Sequence, residues 1–230
     1  STGAASWSWN FGDASPLDVT QNPSHIYSAP GNYTVTLTVT SQGNCTATVQ
    51  VPVTVFPGPT PQFIATTVCV GNPTAFTDQS TVSSGNITNL SWNFGDASPA
   101  NTTQNPTHTY LAAGTYTVTL TVTSNNGCTA TSTIQVVVNP LPNAGFSANA
   151  VCVNNPTQFT DLSTIANGNI QSWAWVFGDP NSGPNNTSIL QNPTHIFSAA
   201  GTFTVSLVVV SAAGCVDSTS VQITVNPLPV

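Results

Sequence analysis

One phrase returns along the chain at a fixed interval. SWNFGDASP occupies residues 8–16 and again 91–99, and AWVFGDPNS answers it at 174–182. Trp9, Trp92 and Trp175 fall 83 residues apart, and so do Asp13, Asp96 and Asp179. A period of this length marks tandem units of one supersecondary plan, so the 230 residues divide into copies rather than into unlike domains. The copies read as a partial unit over 1–56, whole units over 57–139 and 140–226, and the start of a further linker or repeat at 227–230. Ser1 aligns with Ser84, so the first copy lacks the equivalents of roughly residues 57–83, and the chain is expected to be a window on a longer array.

Within a unit the periodicity is two. In the middle copy TYTVTLTVTS (115–124) places Tyr116, Val118, Leu120 and Val122 on one face and threonines on the other. The apolar set is expected to pack on Trp92 and Phe94, at about 1.5–3 kcal/mol per buried side chain. The threonine face keeps strand propensity while staying wet. NNG (125–127) closes a hairpin onto CTATSTIQVVVN (128–139), with Asn126-Gly127 suited to a turn of positive φ. PQFIATTVCV (61–70), TAFTDQS (74–80), NLSWNFGD (89–96) and THTYL (107–111) supply the other strands. Seven or so short strands with frequent turns and no sustained helical period describe a β-sandwich.

Charge narrows the function. The chain has no Lys, Arg or Glu, and seven Asp make its net charge −7. With no cation to neutralise phosphates, nucleic acid is excluded as a partner. The same absence argues against docking on anionic lipid. No apolar stretch is long enough for a membrane span, so this segment has no direct membrane insertion. A surface without basic residues also resists proteases that cut after them, which suits an extracellular, cell-surface location.

WNFGDAS, NPSHIY and GNYTVTLTVT in the first copy recur in order as WNFGDAS, NPTHTY and GTYTVTLTVT, then as WVFGDPN, NPTHIF and GTFTVSLVVV. These motifs resemble the polycystic-kidney-disease (PKD) repeat across all three copies. The Thr- and Asn-rich style, with its VCVGNP and NNGC segments, is similar to repeats in large surface proteins of Bacteroidota. The resemblance implies an all-β chain of tandem immunoglobulin-like β-sandwiches, the first incomplete, and a non-catalytic module.

Each copy carries one His (His25, His108, His195) and one Asp in its FGD turn (Asp13, Asp96, Asp179). Two members of a hydrolytic triad stand there, with Ser15 or Ser98 nearby, but no nucleophile elbow accompanies them. The Asp is expected instead to fasten its own turn and bond across to the His, pinning two strands. No catalytic, cofactor-binding or metal residue is therefore assigned. The remaining acids (Asp18, Asp78, Asp161, Asp217) are scattered, which leaves room for nothing stronger than a weak structural calcium site. Trp7 and Trp173 sit two residues before the core tryptophans and are expected on the same buried face. Glycosylation sequons stand at Asn32, Asn44, Asn86, Asn89, Asn101, Asn185 and Asn186, and Asp217-Ser218-Thr219 resembles an O-glycosylation motif. The third copy has four extra residues between Asp179 and His195, a longer Pro/Gly/Asn-rich surface loop.

Five cysteines occupy two repeat positions, Cys69 and Cys152 early, Cys45, Cys128 and Cys215 late. They fit a disulfide framework better than a zinc site, and so an oxidising compartment. In a sandwich whose strands alternate direction, the loop with Cys69 and the hairpin with Cys128 lie at opposite ends. They stand roughly a strand length apart, beyond the ~7 Å Cα limit of a bridge. That favours Cys69–Cys215 between copies and leaves Cys69–Cys128 with Cys152–Cys215 as the alternative. Paired prolines in VFPGPTP (55–61) and VNPLPN (138–143) stiffen the joins. The reading is a non-catalytic structural segment of an extracellular filament, stalk or giant adhesin. Its partners are other copies of the same repeat, in the chain and in neighbouring chains. The alternative is an accessory array of a secreted degradative enzyme that binds glycan or protein.

Overall fold

The computed structural model describes residues 3–149 and 151–229. The first copy is one antiparallel sheet of β1 (Ala4–Asn10), β2 (Gly31–Ser41) and β3 (Thr46–Val55), in that order. The second has seven strands: β4 (Phe63–Ala65), β5 (Val68–Cys69), β6 (Pro73–Asp78), β7 (Ile87–Asn93), β8 (Thr107–Thr109), β9 (Gly114–Ser124) and β10 (Thr129–Asn139). They form two sheets, β4-β6-β8 and β5-β10-β9-β7. The third copy repeats this with β11 (Phe146–Ala148), β12 (Val151–Cys152), β13 (Pro156–Asp161), β14 (Ile170–Val176), β15 (Thr187–Ser188), β16 (Thr194–Ile196), β17 (Gly201–Ser211) and β18 (Val216–Asn226). Its sheets are β11-β13-β16 and β12-β18-β17-β14-β15. The second and third copies are β-sandwiches, as the period-two pattern implies, and of the immunoglobulin-like kind that the resemblance implies, with the first copy contributing one sheet.

The alternation decides the core. On β9, Val118, Leu120 and Val122 are fully buried, as are Val205, Leu207 and Val209 on β17. They close over Trp92 and Trp175. The other sheet supplies Phe63, edge-on to Trp92 at 4.9 Å, and Phe76 at 5.6 Å. In the first copy, which has one sheet, the equivalent Trp9, Val35, Leu37 and Val39 are only half-buried.

Three details differ from the sequence reading. Residues 61–70 do not form one strand: β4 pairs antiparallel with β6, and β5 crosses to pair in parallel with the end of β10, Val68 opposite Val138 and Cys69 opposite Asn139. Trp7 and Trp173 are half-buried rather than buried. Among the described residues no second sheet lies above Trp7. The Trp173 indole is too long for a site that Leu90 fills in the second copy, and its N–H reaches out to the Asp161 carboxylate at 2.7 Å. The long loop of the third copy is ordered as 3₁₀ turns over Pro180–Asn186 followed by β15, which pairs with β14. The other copies make only a single bridge there, Trp9 to Asp18 and Trp92 to Asn101. The hairpin turn follows its sequence: Gly127 and Gly214 adopt positive φ, and Asn44 takes the same conformation at the matching place in the first copy.

Candidate functional site

Two constructions recur or connect the copies, a clasp inside each unit and a joint between units. The clasp begins with the FGD turn. Gly95 has φ +80°, and a Cβ there would come within 2.5 Å of the Thr117 carbonyl, so only glycine lets the turn lie on the neighbouring strand. The turn delivers Asp96 to His108, Oδ2 to Nε2 at 2.6 Å, while Asp96 Oδ1 accepts the Ser98 amide at 3.1 Å. Asp13 holds His25 at 2.7 Å in the same way and accepts the Ser15 amide. The carboxylate thus both fastens its turn and pins the adjoining segment, as the motif implies. In the third copy Asp179 still faces His195, at 3.3 Å, with both side chains 1% exposed. There its carboxylate accepts the amide and hydroxyl of Ser198 instead of its own turn, whose amide bonds Asn186. The four-residue insertion carries off the turn that Ser15 and Ser98 occupy in the other copies.

Each histidine ring is also closed by aromatics. His108 stacks on Phe94 at 4.2 Å and meets the edge of Tyr110 at 4.6 Å. The Tyr110 hydroxyl donates to the Phe94 carbonyl at 3.0 Å, and burial pushes its pKa up to about 12. No serine hydroxyl bonds a histidine among the described residues: Ser98 Oγ bonds Asp96, on the wrong side of the pair for nucleophile activation. The chemistry of this arrangement is fastening.

The clasps are acid-sensitive. Ser15 and then His25 hold the Asp13 carboxyl down at about 2. For Asp96 and Asp179 burial acts upward, but bonds from Ser98 and His108, and from Ser198 and His195, outweigh it and lower both. A carboxyl whose folded pKa lies below its unfolded value, about 3.9, stabilises the fold above that value. The contribution disappears as pH falls toward the folded pKa. Thermal unfolding is therefore expected to show a steep loss of stability between about pH 4 and pH 2. Asp179→Asn, which removes one such carboxyl, flattens that arm for the third copy. An unchanged slope in the variant contradicts the assignment.

The other acids are engaged too. Asp18 accepts the Thr20 amide and hydroxyl, Asp78 the Ser80 amide and Asp161 the Ser163 amide. Asp217 accepts the Ala144 amide at 2.8 Å, tying the last hairpin of the third copy to the segment that leads into it. Among the described residues no three His, Cys, Asp or Glu side chains gather as a metal site.

The joint is covalent. Cys69, where β5 meets the end of β10, is bonded to Cys215 in the β17–β18 hairpin, with the Cα atoms 5.7 Å apart. This is the pairing between copies, and it rules out the scheme of Cys69–Cys128 with Cys152–Cys215. Cys215 is fully buried. Cys128, its counterpart one copy earlier, lies with Sγ 3.9 Å from the Phe56 carbonyl, over the previous joint. Cys45, Cys128 and Cys152 are free thiols. Sequence reasoning missed the Asp217 tie. Ala130 stands where Asp217 would be in the second copy, so no repeated motif marks it.

No helix among the described residues is long and apolar enough to cross a membrane. The PKD domain family model matches residues 1–55, 57–138 and 137–225. The chain is 42% identical over 73 residues to a microbial collagenase of Vibrio alginolyticus, covering 31% of this chain and 9% of that one. It is 30% identical over 205 residues to human polycystin-1, covering 85% of this chain and 4% of the relative. The chain thus spans less than a tenth of either relative. Among solved structures, the PKD1 domain of the Vibrio cholerae metalloprotease PrtV matches at 33% identity and TM-score 0.33, over 35% of this chain and 96% of that one. PKD domains are non-catalytic modules, and the three matched segments run nearly end to end: the chain belongs to the PKD domain family.

Proposed function

We propose that this chain is a non-catalytic structural segment of an extracellular filament, stalk or giant adhesin, which spaces and carries load through copies tied to one another. The Cys69–Cys215 bridge carries the reading. It joins the beginning of one sandwich to the end of the next, so tension entering at residue 69 passes through sulfur to residue 215. The strands between those points, β6 to β17, are bypassed, and in these two copies only β4 and β18, which lie outside the bridge, resist pulling by strand pairing. Paired prolines in each join and the Asp217 tie limit bending at the same place. Free thiols at Cys128 and Cys152 occupy the two halves of the same pattern, for bridges to further copies of the repeat. An oxidising, extracellular setting follows from this use of cysteine.

Small-angle scattering on the oxidised chain is expected to fit one rigid elongated form for the second and third copies. Cys69→Ser at the same ionic strength is expected to need a spread of bend angles. Indistinguishable profiles for the two contradict the proposal.

A second reading, an accessory binding module, draws on the collagenase and metalloprotease relatives. Against it, Phe56 at 43% is the single largely exposed aromatic among the described residues, so no stacking row faces a glycan. Retention of the oxidised chain on collagen, chitin or cellulose beads would favour this second reading.

A further inference from the structure

Sheet edges are where a β protein meets others of its kind, because their outward N–H and C=O groups are unpaired. On one side β10 pairs with β9 from Thr129–Thr123 to Val138–Gly114 without a register break. On its other side β5 pairs only with Val138 and Asn139. The β5 pairing reaches Val137, because a parallel bridge of Val68 with Val138 bonds the residues that flank Val138. Thr129 to Val136 therefore form an open edge of eight residues, about 27 Å long. Among the described residues Thr129 to Val136 make no backbone hydrogen bond outside the β9 pairing. In an antiparallel pair every second residue turns its amide and carbonyl outward, so the edge presents a regular row of donors and acceptors.

The other long edges carry guards. β3 has Pro52 in its middle, where an N–H is missing. β18 has Asp217 near its start. β7, at the far side of the same sheet, has a register irregularity between Ile87 and Asn89, and its end is capped by the Trp92–Asn101 bridge. Over TATSTIQVV (129–137) there is no proline, no charge and no bulge. A chain with no Lys cannot use the commonest edge guard anywhere, and β10 uses none of the remainder.

The geometry points to β10 as an interface between copies of this chain. Thr129–Val137 of one molecule pairs antiparallel with the same segment of a second across a two-fold axis near Thr133. The two sheets become one continuous sheet. The edge itself selects this occupant. It carries no charge to recruit an ionic peptide, and an isologous pair matches each unguarded row with an equally unguarded one. On its exposed outer face Thr133 meets Thr133 and Thr131 meets Gln135, pairs that suit cross-strand hydrogen bonding, while Thr129 covers the exposed Val137 of the partner. The net charge of −7 on each molecule opposes the approach, so association strengthens as salt screens it. The inference names a neighbouring-chain partner for the structural reading above but does not need the load path, since the edge belongs to the middle copy alone.

Sedimentation equilibrium from micromolar to millimolar, at low and high salt, tests it on the whole oxidised chain. The wild type is expected to self-associate, more tightly at high salt. Around a two-fold at Thr133, residue 131 of one molecule faces 135 of the other. Thr131→Lys with Gln135→Lys therefore sets like charges opposite, as does Thr131→Glu with Gln135→Glu. Each double variant is expected to weaken association about tenfold or more, and an equimolar mixture of the two to restore it. Both substituted positions lie on the solvent face, and matching thermal melts confirm that the fold is kept. A wild type that stays monomeric throughout overturns the inference. So does association equally strong in both variants, or a mixture no tighter than its components. The load-path proposal is read separately, by scattering and pulling, which these substitutions leave untouched.

Discussion

Trp92→Ala is expected to unfold the middle copy under conditions where the third stays folded. The indole is fully buried, held edge-on by Phe63 and flanked by Phe76, and its N–H donates to the Thr103 carbonyl at 2.9 Å. Truncation removes the largest side chain from a core clamped on both sides by sheets, so the cavity cannot collapse. The loss is about 3–5 kcal/mol. A domain of this size holds about 5–15 kcal/mol in all, so the variant sits at or near its threshold. Trp9→Ala supplies the comparison. Trp9 has the same motif and an equivalent bond to Thr20, but is half-buried on a single sheet, so the same deletion costs a fraction as much. Hydrogen exchange resolved by segment separates the copies: amides of β9 lose protection in the Trp92 variant while those of β17 keep theirs. Equal losses from the Trp92 and Trp9 substitutions would mean that the second sheet does not make the core.

That contrast shows how far the sequence speaks. Identical WNFGDAS motifs at 9–15 and 92–98 specify matching turns and Asp–His clasps, down to the serine amide though not its hydroxyl, because everything the clasp needs lies within one short stretch and its neighbour. Burial of the tryptophan depends on Phe63 and Phe76, which arrive from a separate sheet, and the motif holds no trace of whether they come. The third clasp was legible in its residues but not its wiring. Four inserted residues pull the turn away from Asp179, and Ser198, from the segment beyond His195, replaces it. The disulfide was half-legible. Strand direction argued against a bridge within one sandwich, while the contact between copies depends on how the hairpin of the third folds back over the joint. Asp217 was illegible, being a single acid with no counterpart one period away.

The second large effect concerns the bridge. Cys69→Ser, or reduction, leaves both cores their own packing, since neither sulfur belongs to the aromatic cluster of either sandwich. The cross-link itself contributes typically about 2–4 kcal/mol by restricting the unfolded chain. Its mechanical consequence is larger than its thermodynamic one. The bond closes a loop of 146 residues, and in the oxidised molecule none of that loop lengthens under tension.

Single-molecule pulling from the two ends of the chain measures this directly. At about 3.4 Å per extended residue, the oxidised chain is expected to stretch to a full length roughly 500 Å shorter than the reduced chain or the Cys69→Ser variant. The hidden length is expected to appear as one block when reductant is added under load. Equal full lengths with and without reductant would contradict the account, as would hidden length released in two separate blocks, the mark of bridges inside each sandwich.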